Sequence, residues 1–365
     1  MEKIKVMHVV SDMNFGGAGR YLLEICKYIN RERFHLIVVI PIGSILKEYI
    51  GVYDHVEIIE IYGVDTSSFN IKGVKELLSI TREVGADLVH SHGCLSARLA
   101  ARLLGVKTVY TRHSLVNMEE RSKKTLSKLI NKFLSSKAIA VSQAIYNNLI
   151  ENGESVENIY LIYNGVQMPD KEYNQEKLRQ KYEIKKDYVI TLIGSLEKVK
   201  GQEHMLQIVK LLKEKKPNIQ ILFAGEGSNR SPLERKIITN NLPVELLGHV
   251  KDIDEVISLS DVVVNTSNSE AISFALLEAL SHKKPVVAFR IDGIKEVVED
   301  GVNGYLVEFM DYEDFAQKLI LLLEDKKLRQ KLGQAGFEKV NKKFQTTDMV
   351  KAIEKLYGEI VNEMD

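Results

Sequence analysis

The chain has 365 residues, 50 Lys and Arg against 50 Asp and Glu, 45% hydrophobic residues, two cysteines and no tryptophan. Zero formal charge excludes a general nucleic-acid binder, which needs a basic surplus to displace phosphate counterions. Cys26 and Cys94, with no regular spacing, exclude a disulfide scaffold and read as reduced thiols, and at roughly 100–200 residues per domain the length implies two domains.

The start, MEKIKVMHVVS, lacks a basic segment followed by a long apolar run, and no stretch of about 18 apolar residues occurs. A cytoplasmic location is expected. Short β-branched runs then recur, each followed by a helix-period segment: residues 3–10, 36–41, 87–91, 107–111, 137–141 and 159–163. That alternation predicts a parallel sheet with crossover helices. A polar segment at 167–186 reads as a linker carrying a short helix. The alternation restarts at 188–193, 219–223, 244–247, 261–265, 285–289 and 305–307, and helical patterns close the chain from Tyr312 onward. The expected fold is therefore α/β, with two doubly wound, Rossmann-like lobes facing across a cleft, residues 1–166 and residues 187–346. Residues 347–365 form a final helix with a place against the first lobe.

The first strand runs into Gly16-Gly17-Ala18-Gly19 and a helix. Such glycines either let the backbone approach an anion or serve a tight turn. A dinucleotide fingerprint starting at Gly17 would need glycine at position 22, where Leu22 stands, and the second strand ends in Pro41 rather than in an acid for a ribose. His113 follows the strand at 107–111, where an imidazole can hydrogen-bond a substrate, whereas His90 and His92 read as groups that only satisfy the backbone. Between 119 and 137, Leu126, Leu129, Ile130, Phe133 and Leu134 form one helical stripe among Arg121, Lys123, Lys124, Lys128 and Lys132. This helix either rests on an anionic membrane or packs on its own domain.

In the second lobe, Gly194 to Gly201 carries Lys200, a charge suited to a diphosphate or an ordinary surface lysine. Glu270 and Glu278 lie eight residues apart, about 12 Å along a helix axis. A glycosidase pair sits roughly 5–9.5 Å apart, so this spacing suits one extended ligand touched twice, with phosphate at the helix start between the two contacts. Asp252-Ile253-Asp254 has the form of a metal-binding D-x-D but reads as a helix start.

Together these motifs resemble the family 4 glycosyltransferases, retaining enzymes of the GT-B fold that use nucleotide-sugar donors. The resemblance spans nearly the whole chain: Gly16-Gly17, His113, Asn164-Gly165-Val166, Gly194 to Gly201, the E-x7-E of Glu270 and Glu278, Lys284 to Val287, Asp292-Gly293 and Asp300 to Gly304. It implies that Glu278 holds the donor ribose, Glu270 contacts the transferred sugar, and the amides of Ser273 and Phe274 meet the diphosphate. Lys200 then neutralises charge on the leaving group, Gly16 and Gly17 approach it, and His113 lies near the anomeric carbon. Ser195 departs from the arginine common there, with Arg112 as a partial substitute, and Ala271-Ile272-Ser273 replaces Gly-Phe-Gly, narrowing the sugar pocket.

The expected function is transfer of a sugar, with retention, from a UDP- or GDP-linked donor to a hydroxyl acceptor, saccharide or lipid-linked, in cell-envelope or surface glycan assembly. No cofactor, metal or nucleic acid is expected. Arg112, Arg121, Lys123, Lys124 and Lys128 mark an acceptor side or a peripheral contact with the inner face of the cytoplasmic membrane. The alternatives are a nucleotide-sugar 2-epimerase of the same fold and a noncatalytic nucleotide-sugar-binding subunit. Residues 1–166 carry 20 basic and 17 acidic side chains, net +3, and the remainder 30 and 33, net −3, so neutrality averages two unlike halves.

Overall fold

A computed structural model describes residues 3–13, 15–64, 68–116, 121–216 and 218–362, apart from the side chains of residues 121 and 122. The chain divides into two units, Met1–Asn164 with Thr346–Asp365, and Gly165–Gln345. The first contains β1 (Ile4–Val10), α1 (Gly17–Tyr28), β2 (Phe34–Pro41), α2 (Leu46–Ile50), β3 (Val56–Ile61), α3 (Ile71–Val84), β4 (Leu88–His92), α4 (Leu95–Leu104), β5 (Lys107–Arg112), α5 (Arg121–Leu134), β6 (Lys137–Ala140), α6 (Gln143–Glu151) and β7 (Ile159–Leu161). The second contains α7 (Gln175–Lys181), β8 (Tyr188–Ile193), α8 (Gln202–Lys215), β9 (Ile219–Ala224), α9 (Arg230–Thr239), β10 (Val244–Gly248), α10 (Ile253–Leu259), β11 (Val262–Asn265), α11 (Phe274–Ser281), β12 (Val286–Phe289), α12 (Asp292–Val297), β13 (Gly304–Val307), α13 (Tyr312–Glu324) and α14 (Lys326–Lys343). Helix α15 (Thr346–Asn362) returns to the first unit.

Both sheets are parallel, ordered β3-β2-β1-β4-β5-β6-β7 and β10-β9-β8-β11-β12-β13. The strand order reverses beside β1 in one and beside β8 in the other, and in such sheets ligands bind at the carboxyl ends of the strands flanking the reversal. Alternate residues of β1 serve opposite faces. Met7 and Val9 enter a core with Ile37, Val39, Leu77, Ala97 and Ala101 from β2, α3 and α4, whereas His8, equally buried, faces the other side. There Tyr357 of α15 lies against it.

Strand β3 has no counterpart among the expected strands. Its sequence, Val-Glu-Ile-Ile-Glu-Ile, is an edge strand, and its two glutamates break the apolar run that marks a strand buried on both faces. The polar segment 167–186 packs within the second unit. Leu178 of α7 and Ile184 are buried against Val189, Val256 and Leu259, Tyr173 donates to Asp252, and Glu255 pairs with Lys181 and Tyr182. Where the chain enters and leaves this unit the two segments pair, Val166 N donating to Phe344 O at 2.8 Å. Among the described residues no helix is long and apolar enough to cross a membrane.

Helix α14 supports α11 through two glycines one turn apart. A β-carbon at Gly333 would lie 1.9 Å from the Lys283 carbonyl oxygen, and one at Gly336 would lie 2.3 Å from a terminal methyl of Leu280. Gly333→Ala gains about 1 kcal/mol of helix propensity but meets backbone that cannot rotate away, an overpacking cost of about 1–3 kcal/mol. Net destabilisation is expected from Gly333→Ala, and a smaller effect from Gly336→Ala, where a side-chain tip can move. Denaturant unfolding of the two variants measures the difference.

Candidate active site

In the second unit the loop after β8 and the loop after β11 leave neighbouring strands at the reversal and are stitched together. Thr266 Oγ1 donates to Gly201 O at 2.8 Å, Asn268 N to Val199 O at 2.8 Å and Asn268 Nδ2 to Lys198 O at 3.0 Å. Gly201 makes this possible, because at φ +64° a β-carbon there would lie 1.9 Å from Thr266 O. The stitching sets the Lys200 Nζ 2.7 Å from Glu270 Oε1. Glu270 is only 8% exposed, and the same oxygen accepts from Ser267 Oγ at 2.8 Å and Asn265 Nδ2 at 3.3 Å. A buried carboxylate needs such partners to remain ionised at little cost.

Asn265 also donates to Ser273 Oγ at 3.3 Å, and that oxygen caps α11 by accepting from Leu276 N. Glu270 thus stands in the loop before α11 and Glu278, buried, in its second turn, with the helix start at Ser273 and Phe274 between them. Behind the loop Gly293 packs so closely that a β-carbon would meet the carbonyl oxygens of Glu270 and Ala271 at 2.3 Å. Lys200, Glu270 and Ser273 therefore form one bonded cluster. Ser195 is exposed and uses its carbonyl to accept from Gln202. Asp252 and Asp254 stand at the start of α10, bonded to Tyr173 and His282 respectively.

In the first unit Gly16 precedes α1 and Gly17 opens it, both exposed, and Gly16 at the cap position makes no side-chain bond to the helix start. Arg112 closes β5, half-buried. Next to it, His113 belongs to a column of imidazoles that the strand register creates. His8 of β1 lies directly opposite His90 of β4, and His92 lies opposite Thr111 of β5. Since side chains two residues apart share a face, all four rings line one side of the sheet. His8 and His92 stack 5.4 Å apart, His90 and His92 4.3 Å, His92 and His113 5.4 Å. Burial holds His8 and His113 to pKa values of about 3, Arg112 adding to the effect at His113, and burial first and the neighbouring rings second hold His90 and His92 well below the usual histidine range.

His90 and His92 thus do not merely satisfy the backbone: their ring nitrogens bond Tyr357, Thr111, His8 and His113. His8, Tyr21 and Tyr357 gave no sign in a linear reading, although H at position 8 and H-x-H at 90–92 have the parity that would put them on one face. Candidate metal-ligand atoms of His8, His90 and His92 all lie within 4.8 Å of one another, the one such His, Cys, Asp or Glu cluster among the described residues, yet every nitrogen of these rings already has a hydrogen-bond partner.

The apolar stripe of α5 divides. Leu134 is buried and Ile130 half-buried, but Leu126, Leu129 and Phe133 are 58%, 61% and 54% exposed, beside exposed Lys123, Lys128 and Lys132 and half-buried Lys124. Packing on its own unit therefore accounts for only part of the stripe. Arg121 opens the helix, its side chain lying outside the described residues.

Residues 15–168 match the model of Glycosyltransferase Family 4 and residues 174–339 that of Glycosyl transferases group 1. An uncharacterized glycosyltransferase of Methanocaldococcus jannaschii, MJ1178, is 30% identical over 80% of this chain and 81% of its own. The UDP-Gal:alpha-D-GlcNAc-diphosphoundecaprenol alpha-1,3-galactosyltransferase of Escherichia coli is 26% identical over 89% of each chain. Among solved structures, that of Anabaena Alr3699/HepE in complex with UDP-glucose superimposes with a TM-score of 0.85 at 22% identity, over 98% of this chain and 100% of that one, and so has the same GT-B fold. By both halves of its sequence and by its fold, the chain belongs to the family 4 glycosyltransferases.

Proposed function

We propose that the enzyme moves a sugar from a nucleotide diphosphate sugar, UDP- or GDP-linked, to a hydroxyl acceptor with retention of configuration, in the assembly of a cell-envelope or surface glycan. The observation that carries this reading is the cluster of Lys200, Glu270 and Ser273 at the start of α11. It offers a cation, a helix N-terminus and a carboxylate in sequence, which matches a diphosphate followed by a polyhydroxylated ring. Glu278, one turn into the helix, takes the ribose hydroxyls. The UDP-glucose bound by the structural relative and the UDP-Gal and lipid-diphosphate named for the E. coli relative support the donor class and a lipid-linked acceptor.

In this reaction the acceptor oxygen forms a bond to the anomeric carbon on the face from which the diphosphate leaves. The bond to the phosphate oxygen breaks, and that oxygen takes the acceptor's proton. Lys200 and the α11 amides of Ser273 and Phe274 stabilise the charge that develops, and no step is assigned to a metal. Glu270 holds the sugar hydroxyls while its other contacts keep it fixed. Helix α5, with exposed leucines and phenylalanine among lysines, fits the headgroup layer of an anionic membrane, where a lipid-linked acceptor would lie.

Removal of one charge-stabilising donor typically costs 10²–10³ in turnover. Lys200→Ala and Glu270→Gln are each expected to lower kcat by roughly that factor while far-UV dichroism stays unchanged. Only donors of the correct base should raise the melting midpoint when UDP-, GDP- and ADP-sugars are compared, a rise that Lys200→Ala diminishes. Undiminished turnover in both variants would refute the assignment, and an epimerised sugar formed without acceptor would favour the 2-epimerase.

For the membrane contact, each lysine near an anionic surface contributes about 1 kcal/mol. Replacing Lys123, Lys124 and Lys128 by glutamine should therefore weaken sedimentation with phosphatidylglycerol vesicles on the order of 100-fold at low salt. Leu126→Ser with Phe133→Ser should weaken it independently of salt. Unchanged binding in both would remove α5 from the interface.

A further inference from the structure

His204 lies outside the cluster of Lys200, Glu270 and Ser273, yet a directed run of hydrogen bonds leads from it to the turn that carries Lys200. It is the third residue of α8, and its ring stands among aromatic rings of the second unit: Phe289 at the end of β12, Phe309 after β13 and Tyr312 at the start of α13, with centroids 5.7, 5.5 and 5.8 Å away. These contacts fix the plane of the imidazole. Its Nε2 lies 2.8 Å from Asn268 Oδ1 and its Nδ1 2.8 Å from Tyr312 Oη. The direction of the run is set at one end by a backbone carbonyl, which can only accept. Lys198 O takes Asn268 Nδ2 at 3.0 Å, so the other end of that amide, turned to His204, is the oxygen. His204 therefore donates through Nε2, and the neutral ring accepts the Tyr312 proton at Nδ1. Reversal is not open to this run, because a flipped Asn268 amide would set its oxygen against Lys198 O.

We propose that His204, oriented by Tyr312, is a positioning residue for Lys200 and acts through Asn268. Asn268 is exposed, and the last torsion of an amide side chain is broad, so one bond alone does not hold it. With the amide held at both ends, Asn268 keeps two carbonyls in place, Lys198 O through Nδ2 and Val199 O through its backbone N–H at 2.8 Å. These belong to the two residues that precede Lys200, while Thr266 holds Gly201 O on the other side. Lys200 Nζ then reaches Glu270 at 2.7 Å on a stem whose backbone is tied on both sides. The role of Lys200 on the diphosphate rests on the transferase reading; the run of bonds from Tyr312 to the turn at 198–200 does not. Every residue in it belongs to the second unit.

Double-mutant cycles in the full-length protein test this, because residues that act through one another lose additivity where merely destabilising changes keep it. His204→Phe keeps a ring in the aromatic pocket and removes the donor to Asn268. It should lower kcat, and the calorimetric affinity for whichever of UDP and GDP binds, roughly three- to tenfold, the worth of one such hydrogen bond. Asn268→Ala should do at least as much, and adding His204→Phe to Asn268→Ala or to Lys200→Ala should cost nothing further. His204→Gln, which returns an N–H at similar reach, should restore most of the loss. Tyr312→Phe should give a smaller loss in the same direction, so the test survives if His204→Phe does not fold. Equal fractional losses from His204→Phe in the parent and in Lys200→Ala overturn the proposal, as does His204→Gln behaving like His204→Phe. So does a neutral His204 with its proton on Nδ1, read by long-range 1H–15N correlation in the 15N-histidine-labelled protein without nucleotide. Coupling in nucleotide affinity with no transfer from any donor would support the positioning role and overturn the transferase reading, whereas transfer with full additivity would do the reverse.

Discussion

Parallel pairing at the reversal of strand order is the constraint on which the rest depends. In each sheet two neighbouring strands send their following helices to opposite faces, and the loops leaving their carboxyl ends stay side by side. At β8 and β11 that adjacency lets Thr266 and Asn268 bind the backbone of residues 198–201, and the pairing of Lys200 with Glu270 follows from those bonds. At β1, β4 and β5 the same adjacency, expressed through register, lines up His8, His90, His92 and His113.

The two units solve different electrostatic problems with the same topology. In the second, an ionised carboxylate is kept under cover by a lysine, a serine and an asparagine, and a helix start adds a half-charge beside it. Its cation is the lysine, 30% exposed, whose stem would lie 3.8 Å from a β-carbon placed on Gly194. The first unit instead buries polar rings that carry no charge. There each ring is held by hydrogen-bond partners rather than by an opposite charge.

Much of this was legible from residue order. The β-branched runs located twelve of the thirteen strands among the described residues, since a strand buried on both faces is a continuous apolar run. Strand β3 escaped because an edge strand tolerates glutamates. The segment at 167–186 resembled a linker because its few apolar residues, Leu178 and Ile184 among them, are the ones that dock. Glu270 and Glu278 stood out by spacing alone. His8 did not, because a single histidine within an apolar strand acquires meaning only from what lies opposite it.

Residue order by itself determined the two alternating halves, the glycine turns, the carboxylate pair and the basic helix, because these depend on periodicity and local backbone preference. Tertiary structure alone decided which side chains share a hydrogen bond, that Tyr357 from the last helix joins histidines of the first and fourth strands, and which part of the α5 stripe stays uncovered. Those outcomes depend on register between strands and on where a distant helix docks, and residue order carries neither until the chain has closed on itself.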